Sequence, residues 1–334
     1  MRTIEIDIDD DDAFARWYAP IHTSDRMLWP DEPGWLPHEL HAFTGLSDAA
    51  WVLTAVEDAA GTVVGSALTR IPLLDNLATA EVFVLAIDPG HRRRGFGRAL
   101  LGGVEAVVAT HERTTLQATS EEPLAGGNDG VESFARQAGF ELAIVSSRRA
   151  LDLPVDEELL ERLEADAAPH ADDYDVVTWT GGCPQRWLEG RLVLALGMST
   201  DAPYGELDIE PVRYDVGRLR AQEALADAMD RVRYASGAVH RSTDALVAFS
   251  DIAISTAAPQ VGHQYDTIVL DAHRGHRLGI LVKVANLRAV MAASPATERL
   301  STWNADENEP MIRVNDELGF RRSARGVVWQ KKTR

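Results

Sequence analysis

Apolar and polar residues alternate along two runs, 51–56 and 62–71, with Asp58-Ala59-Ala60-Gly61 between them. Alternation of period two puts one face of each run in a core, and aspartate and glycine form turns, so the segment predicts a β-hairpin. A third strand over 81–87 ends at the turn Asp88-Pro89-Gly90. After an arginine-rich stretch, apolar residues recur at helical spacing over 95–110, with Leu100, Val104 and Val107 on one buried face. A strand over 114–118, a Gly-rich loop ending at Asn128 and a helix to Ala138 follow. Gly139 stands where a C-cap glycine is expected. A strand over 141–151 is expected to close the unit.

The same order returns downstream: strands over 245–254 and 265–270, an arginine-rich helix entry, a strand over 300–304, and a helix ending at Gly319-Phe320. Gly97 and Gly279 lie 182 positions apart, while Gly139-Phe140 and Gly319-Phe320, like Asn128 and Asn308, lie 180 apart. A spacing that drifts only by loop-sized amounts is the mark of a duplication. The expected domains are therefore 1–152 and 174–334. The acidic, alanine-rich stretch 153–173 has no sheet pattern and reads as a linker, with a helix as one form.

Composition narrows the partners. The 334 residues are 45% hydrophobic and 25% charged, which is ordinary for a folded chain long enough for two cores. Asp and Glu number 52 against 33 Lys and Arg, a net charge of -19, and such a field repels nucleic acid and anionic lipid. Lysine occurs only at Lys283, Lys331 and Lys332. The lone Cys183 excludes an intrachain disulfide and a Cys-rich metal site. The acidic start, with Ile4, Ile6 and Ile8 alternating into Asp9 to Asp12, is unlike a signal peptide, and no apolar run reaches the ~20 residues of a membrane helix. A cytoplasmic protein with no membrane partner is expected; monomer and homodimer both stay open.

One local exception stands against the acidity: Asp88-Pro89-Gly90-His91-Arg92-Arg93-Arg94-Gly95-Phe96-Gly97-Arg98, between a strand and a helix. A helix N-terminus already carries partial positive charge, so arginines crowded there call for an anion, and glycine lets backbone approach it closely. Arg92-x-x-Gly95-x-Gly97 resembles the Arg/Gln-x-x-Gly-x-Gly/Ala motif of the GNAT N-acetyltransferases. The flanking strand over 80–87, Asn128 and the Gly139-Phe140 ending resemble that family too. The second copy is degenerate: Arg274-Gly275-His276-Arg277-Leu278-Gly279 has an arginine where the first motif glycine belongs. The resemblance implies an α/β (α+β) chain of two tandem GNAT folds, each a mixed, mostly antiparallel sheet flanked by helices, similar in architecture to mycothiol synthase.

It also implies acetyl-CoA as co-substrate and transfer of the acetyl group by direct attack to a primary amine, here expected on a small molecule. The motif would hold the pyrophosphate through Arg92, Arg93, Arg94, Gly95, Phe96, Gly97 and Arg98. Backbone groups of Leu85, Ala86 and Ile87 would meet the acetyl and pantetheine portions. Arg274, Gly279 and Asn308 are the cofactor-binding candidates of the second copy, as Asn128 is of the first. Both asparagines read equally as helix N-caps.

An alkylamine is almost wholly protonated at neutral pH, so a base matters. Glu81 stands where the family's glutamate base is expected, and reads equally as a strand ion pair. Its counterpart His263 is a base with an ordinary pKa near 6.5, or a structural histidine. Asp266-Thr267 binds a substrate amine or merely holds a bulge. Where the family carries a tyrosine acid, four residues before the Gly-Phe glycine, this chain has Ala135 and Asn315, leaving water or Ser133 to protonate the thiolate. The missing acids favour a rival, a non-catalytic acyl-CoA sensor or scaffold, and a protein N-acetyltransferase is a second. Cys183 has no histidine partner in its surroundings, and His273 with His276 form no metal spacing, so no metal is expected. Trp17, Tyr18, Trp29 and Trp35 lie over the acceptor cleft or pack the core.

Overall fold

The computed structural model describes residues 1–126, 130–201, 205, 207, 209–210 and 212–333. Contacts divide the chain into unit 1, made of Met1–Ser146, Tyr204–Glu210 and Ala324–Arg334, and unit 2, made of Ser147–Pro203 and Pro211–Ser323.

Unit 1 begins with β1 (Arg2–Ile6) and α1 (Asp11–Leu28). The aspartate run starts that helix: the Asp10 carboxylate accepts from the Ala13 N–H, and Asp11 and Asp12 sit in the first turn, where the helix dipole favours anions. Then come α2 (Pro37–Thr44), β2 (Ala49–Glu57), β3 (Val63–Pro72), β4 (Thr79–Ile87), α3 (Phe96–Thr110), β5 (Thr115–Pro123), α4 (Val131–Gln137) and the start of β6 (Glu141–Asp152). The hairpin expected at Asp58 forms, its carboxylate accepting from Ala60 and Thr62 N–H and Gly61 taking φ +80°. Two cores cover the two faces of the sheet. On one, Leu100, Val104 and Val108 of α3 pack with Leu116 and Trp329. On the other, fully buried Trp17 packs with Ile21, Leu40, Leu53 and Leu68, its indole N–H donating to the carbonyls of Thr54 and Ala67.

Unit 2 holds the rest of β6, then α5 (Glu157–Ala167), β7 (Tyr174–Thr180), α6 (Leu188–Asp201), α7 (Val216–Ala228), β8 (Arg231–His240), β9 (Ala245–Ser255), β10 (Val261–Val269), α8 (Leu278–Ala293), β11 (Arg299–Ala305) and α9 (Glu309–Glu317). The stretch expected as a linker, with a helix as one form, contains the helix α5, whose Leu160 and Leu163 are buried with Ile280, Val284 and Leu287 of α8 in one core. An i, i+3 apolar pair on an otherwise acidic helix is a narrow stripe, easily passed over against the charge around it.

The strand order of unit 1 is β1-β2-β3-β4-β5-β12, where β12 (Arg321–Lys332) is the last strand of the chain, and that of unit 2 is β6-β11-β10-β9-β8-β7. In unit 1 the pair β4–β5 is parallel and the others are antiparallel; in unit 2 the pair β10–β11 is parallel, while β9–β10, β8–β9 and β7–β8 are antiparallel. The strand over 141–151 was expected to close the first copy. The partner of β5 is instead β12, in register from Ala324 opposite Pro123 to Lys332 opposite Thr115. Domain boundaries drawn in chain order therefore differ from the contact units at both of these strands. Alternation along a strand tells which face is buried, and is silent on which edge it joins.

Candidate functional site

In unit 1 the β3–β4 register jumps: Leu68 faces Val84 and Thr69 faces Val82, leaving Phe83 as a bulge. The parallel ladder of β4 with β5 ends at Val82 opposite Ala118, although β4 stays paired with β3 to Ile87 and β5 with β12 to Pro123. The two strands therefore part after the bulge and leave a gap along 83–87. Asp88 N–H donates to Val64 O, so by the alternation of an antiparallel ladder the peptide groups of Ala86 face β3 while those of Leu85 and Ile87 face the gap. Of the three residues expected to offer backbone there, Leu85 and Ile87 do so and Ala86 does not.

At the mouth of the gap, Gly95 caps α3 with φ +89° and Arg93 takes φ +63°. These left-handed turns bring the unpaired first-turn N–H groups of α3 to the surface. Arg93, Arg94 and Arg98 are exposed and form no ion pair with the described residues. Arg92 is a brace: its Nε donates to Ile87 O at 3.3 Å and its Nη2 to Ser24 Oγ at 2.8 Å, tying the loop to the strand end and to α1. Phe96 points into the α3 core and offers only backbone to a ligand. A Cβ on Gly97 would stand 3.4 Å from the Phe134 ring, so the glycine keeps α3 and α4 close. A groove of about 180 Å³ continues between these helices, lined by Arg98, Phe134, Gln137 and Lys331. Asn128 lies outside the described residues.

Cross-strand pairing aligns Trp51, Arg70, Glu81 and Gln117 in one row on the opposite face. The Glu81 carboxylate, with 40% of its side-chain surface exposed, lies 3.7 Å from Arg70, which also reaches Asp48 at 3.4 Å. Next to the row, Trp35, Phe43, Trp51 and Phe83 pack ring against ring with centroids 4.8–5.5 Å apart. Trp35 thus joins this wall, whereas Trp17 belongs to the core. The Trp35 segment is tied to α1, where the Tyr18 hydroxyl donates to Trp35 O at 2.8 Å. Burial, with Asp25 and Glu39 nearby, pushes Tyr18 up to about 12, and burial pushes Asp25 up to about 6 against a hydrogen bond from Trp35 N–H. Ala135 is buried, and Ser133 accepts from the Gln137 amide.

Unit 2 repeats the frame. The β9–β10 register shifts between Gln264 and Thr267, and the β10–β11 ladder stops at His263 opposite Ser301. Arg274 Nε donates to Val269 O at 3.4 Å, as Arg92 does to Ile87 O. The loop differs in charge: Arg277 replaces the first motif glycine as the cap of α8, at φ +53°, and its guanidinium is 2.7 Å from Glu317 of α9, while Arg274 is 2.7 Å from Asp271. A Cβ on Gly279 would meet only Val314, at 3.9 Å. The Asn308 side chain accepts from Met311 N–H, so it serves as the cap of α9. His263 stacks on Trp303 with centroids 5.7 Å apart. Burial and the guanidinium groups of Arg231 and Arg148 hold it down to about 3, so it is neutral and only a weak base at neutral pH. That departs from the ordinary value on which its expected role rested.

Behind this site lies a buried polar chain. Lys283 donates to Asn315 Oδ1 at 2.9 Å, and Asn315 Nδ2 to Asn304 Oδ1 at 2.7 Å. Lysine can only donate, which fixes the orientation of both amides. Burial lowers Lys283 to about 7. Cys183 is buried and pushed up to about 11, first by burial and then by Glu223, so its thiol is unreactive near neutral pH. Among the described residues no group of three or more His, Cys, Asp or Glu could hold a metal ion, and no helix is long and apolar enough to cross a membrane.

The sequence model of the acetyltransferase (GNAT) family matches residues 12–140. A tandem GNAT protein from the clavulanic acid biosynthesis pathway, solved without AcCoA, is 28% identical over 100% of this chain and 98% of its own, with a TM-score of 0.81. A GCN5-related N-acetyltransferase from Sphaerobacter thermophilus shares the fold at 15% identity and a TM-score of 0.66, covering 99% of this chain and 96% of its own. A third likeness of fold, at 12% identity and a TM-score of 0.65, is a GCN5-related glucosamine N-acetyltransferase region within a fungal multi-domain β-N-acetylglucosaminidase, covering 98% of this chain and 38% of that one. No curated protein matches the chain.

Proposed function

The chain is a tandem GNAT protein, and from that premise we propose that unit 1 binds acetyl-CoA and transfers its acetyl group to the primary amine of a small molecule. The observation that carries this reading is the contrast between the two phosphate loops. In unit 1, Arg93, Arg94 and Arg98 surround a glycine-capped helix N-terminus with no described carboxylate to neutralise them. In unit 2 the loop's arginines, Arg274 in the place of Arg92 and Arg277 in the place of Gly95, are paired with Asp271 and Glu317. In a chain of net charge -19, three exposed arginines at a helix N-terminus with no acidic partner among the described residues are costly unless an anion such as a pyrophosphate joins them.

The gap between β4 and β5 then takes the thioester end, with the Leu85 N–H able to polarise the carbonyl. The amine nitrogen bonds to the carbonyl carbon, the C–S bond breaks, and an amide and coenzyme A result. One ammonium proton goes to Glu81, directly or through water, and the second, shed as the nitrogen becomes an amide, passes through water or Ser133 to the departing thiolate. Arg70 positions Glu81, and the aromatic wall beside it suits an amine on an apolar body.

The loop of unit 2 supplies the test. Gly95→Arg gives unit 1 the side chain of Arg277, and acetyl-CoA binding to the full chain, followed by calorimetry, is expected to weaken by at least about a hundredfold, the scale of several lost charged hydrogen bonds. Undiminished binding would place the cofactor elsewhere. Incubation of the wild type with acetyl-CoA and an amine panel, read by mass spectrometry, then separates an enzyme from a sensor: acetylated product supports transfer, and intact acetyl-CoA with every amine refutes it.

A further inference from the structure

Unit 2 has at its β10 bulge a charged side-chain cluster that acetyl transfer in unit 1 does not use. Asp266 is in the bulge, with Oδ2 3.3 Å from Arg191 Nη2, and 41% of its side-chain surface is exposed. Its pKa is raised, by burial first and by Asp251 second. The carboxylate is desolvated by surrounding protein while part of it stays open to water. Asp251 is committed to structure: it is buried, held by Arg233 Nε at 3.1 Å and Nη2 at 2.5 Å, and accepts from Asp266 N–H at 3.1 Å.

Arg191 is different. Its side chain is 4% exposed and its guanidinium lies 3.9 Å from the Phe249 ring centroid. Its Nη1, bonded to the same carbon as the Nη2 that touches Asp266, is buried with no hydrogen-bond partner among the described residues. A buried guanidinium N–H left unpaired is unfavourable, and an oxygen beside Asp266 would satisfy it. Tyr214 lies close enough to feel both charges, its hydroxyl turned to Gln222.

The two copies differ here in kind. Counting back eight positions from Arg92 and Arg274, which brace the two loops alike, sets Val84 against Asp266, an apolar residue against an acid. Three carboxylates, Asp251, Asp266 and Glu223, against three guanidinium groups, Arg191, Arg233 and Arg220, leave the cluster electrically balanced. It therefore favours a neutral zwitterion over a net ion.

We propose that unit 2 carries a second small-molecule site at the β10 bulge, which takes a primary amine with a carboxylate close by, as in an α-amino acid: the ammonium on Asp266, a carboxylate oxygen on Arg191 Nη1. The assignment stands apart from acetyl-CoA binding in unit 1.

The test uses the full chain without acetyl-CoA, titrated by calorimetry with the common α-amino acids, and with ethylamine and N-acetylalanine, which lack the carboxylate and the ammonium respectively. At least one α-amino acid is expected to bind at about millimolar concentration or tighter, and Asp266→Asn to weaken it by at least about tenfold, the loss of one charged hydrogen bond. Arg191→Lys, which keeps the charge and loses the fork of donors, is the second variant and is expected to weaken it too. Failure of every amino acid to bind, equal binding of ethylamine or N-acetylalanine, or unchanged binding in both variants would overturn the proposal. Acetyl-CoA titrated into the same preparation reports on unit 1 separately.

Discussion

Lys283 should give unit 2 a stability that rises with pH, and Lys283→Met should remove that rise. The lysine is held at about 7 in the folded chain by burial and returns to about 10.4 when unfolded. Between these values the unfolded chain binds more protons, so stability increases with pH; below both, the cost of burying the charge is felt in full. At about 1.36 kcal/mol per pKa unit, that cost is about 4 to 5 kcal/mol at pH ~6.5 and about 2.5 kcal/mol at pH ~8.5, a gain of about 2 kcal/mol. The window avoids three other groups: Asp25 and His263, at about 6 and about 3, titrate mainly below it, and Cys183, held up at about 11, adds its opposite slope mainly above it. For a unit of this size, about 2 kcal/mol corresponds to roughly 4 to 8 °C in melting temperature. Denaturant unfolding followed through Trp179, Trp187 and Trp303 reads unit 2 across that range. Methionine fills the cavity but leaves Asn315 Oδ1 without its donor, so Lys283→Met lowers stability by some constant amount; the quantity of interest is the slope. Equal slopes in wild type and variant would mean that Lys283 does not titrate between those states, and the reasoning from its burial would fail.

Three other outcomes follow from the geometry. Glu81→Gln should lower turnover by about a hundredfold or more while leaving acetyl-CoA affinity within about twofold, since a general base contributes on that scale; a parallel loss of both would assign Glu81 to the fold through Arg70. Cys183 should resist alkylation at pH ~8 in the folded chain and react at once in denaturant, and rapid modification of the native protein would contradict its burial. Trp329→Ala empties a fully enclosed site between β12 and α3 and should destabilise unit 1 by about 3 to 5 kcal/mol in a denaturant titration.

The frame of each copy was legible where a local signal carried it. The Asp58 turn, the Gly95 cap and the Gly139 stop each mark a place where backbone conformation limits the residue, and the paired offsets of Gly97 with Gly279 exposed the duplication. The gap itself was not legible: 80–87 is apolar apart from Glu81, so nothing in the pattern marks Phe83 as the residue that falls out of register. The difference between the loops needed partners far along the chain, Glu317 for Arg277, just as Asp266 needed Arg191. His263 shows the same limit in energy: its identity suggested a base near neutrality, and only its position beside Arg148 and Arg231 revealed that the ring stays uncharged.

The placing of β12 bears on how the molecule is made. The edge of β5 stays open until residues 324–332 arrive, so the first copy, though synthesised first, is completed last, after nearly all of the second has left the ribosome. A gene cut at the apparent boundary would yield a first half with an unpaired strand edge, prone to recruit the edge of another chain. Once such an exchange is in place neither copy can be deleted without damage to the other, and a duplicate whose arginine loop has become self-neutralised is retained as part of its neighbour's fold while its own bulge is free to change.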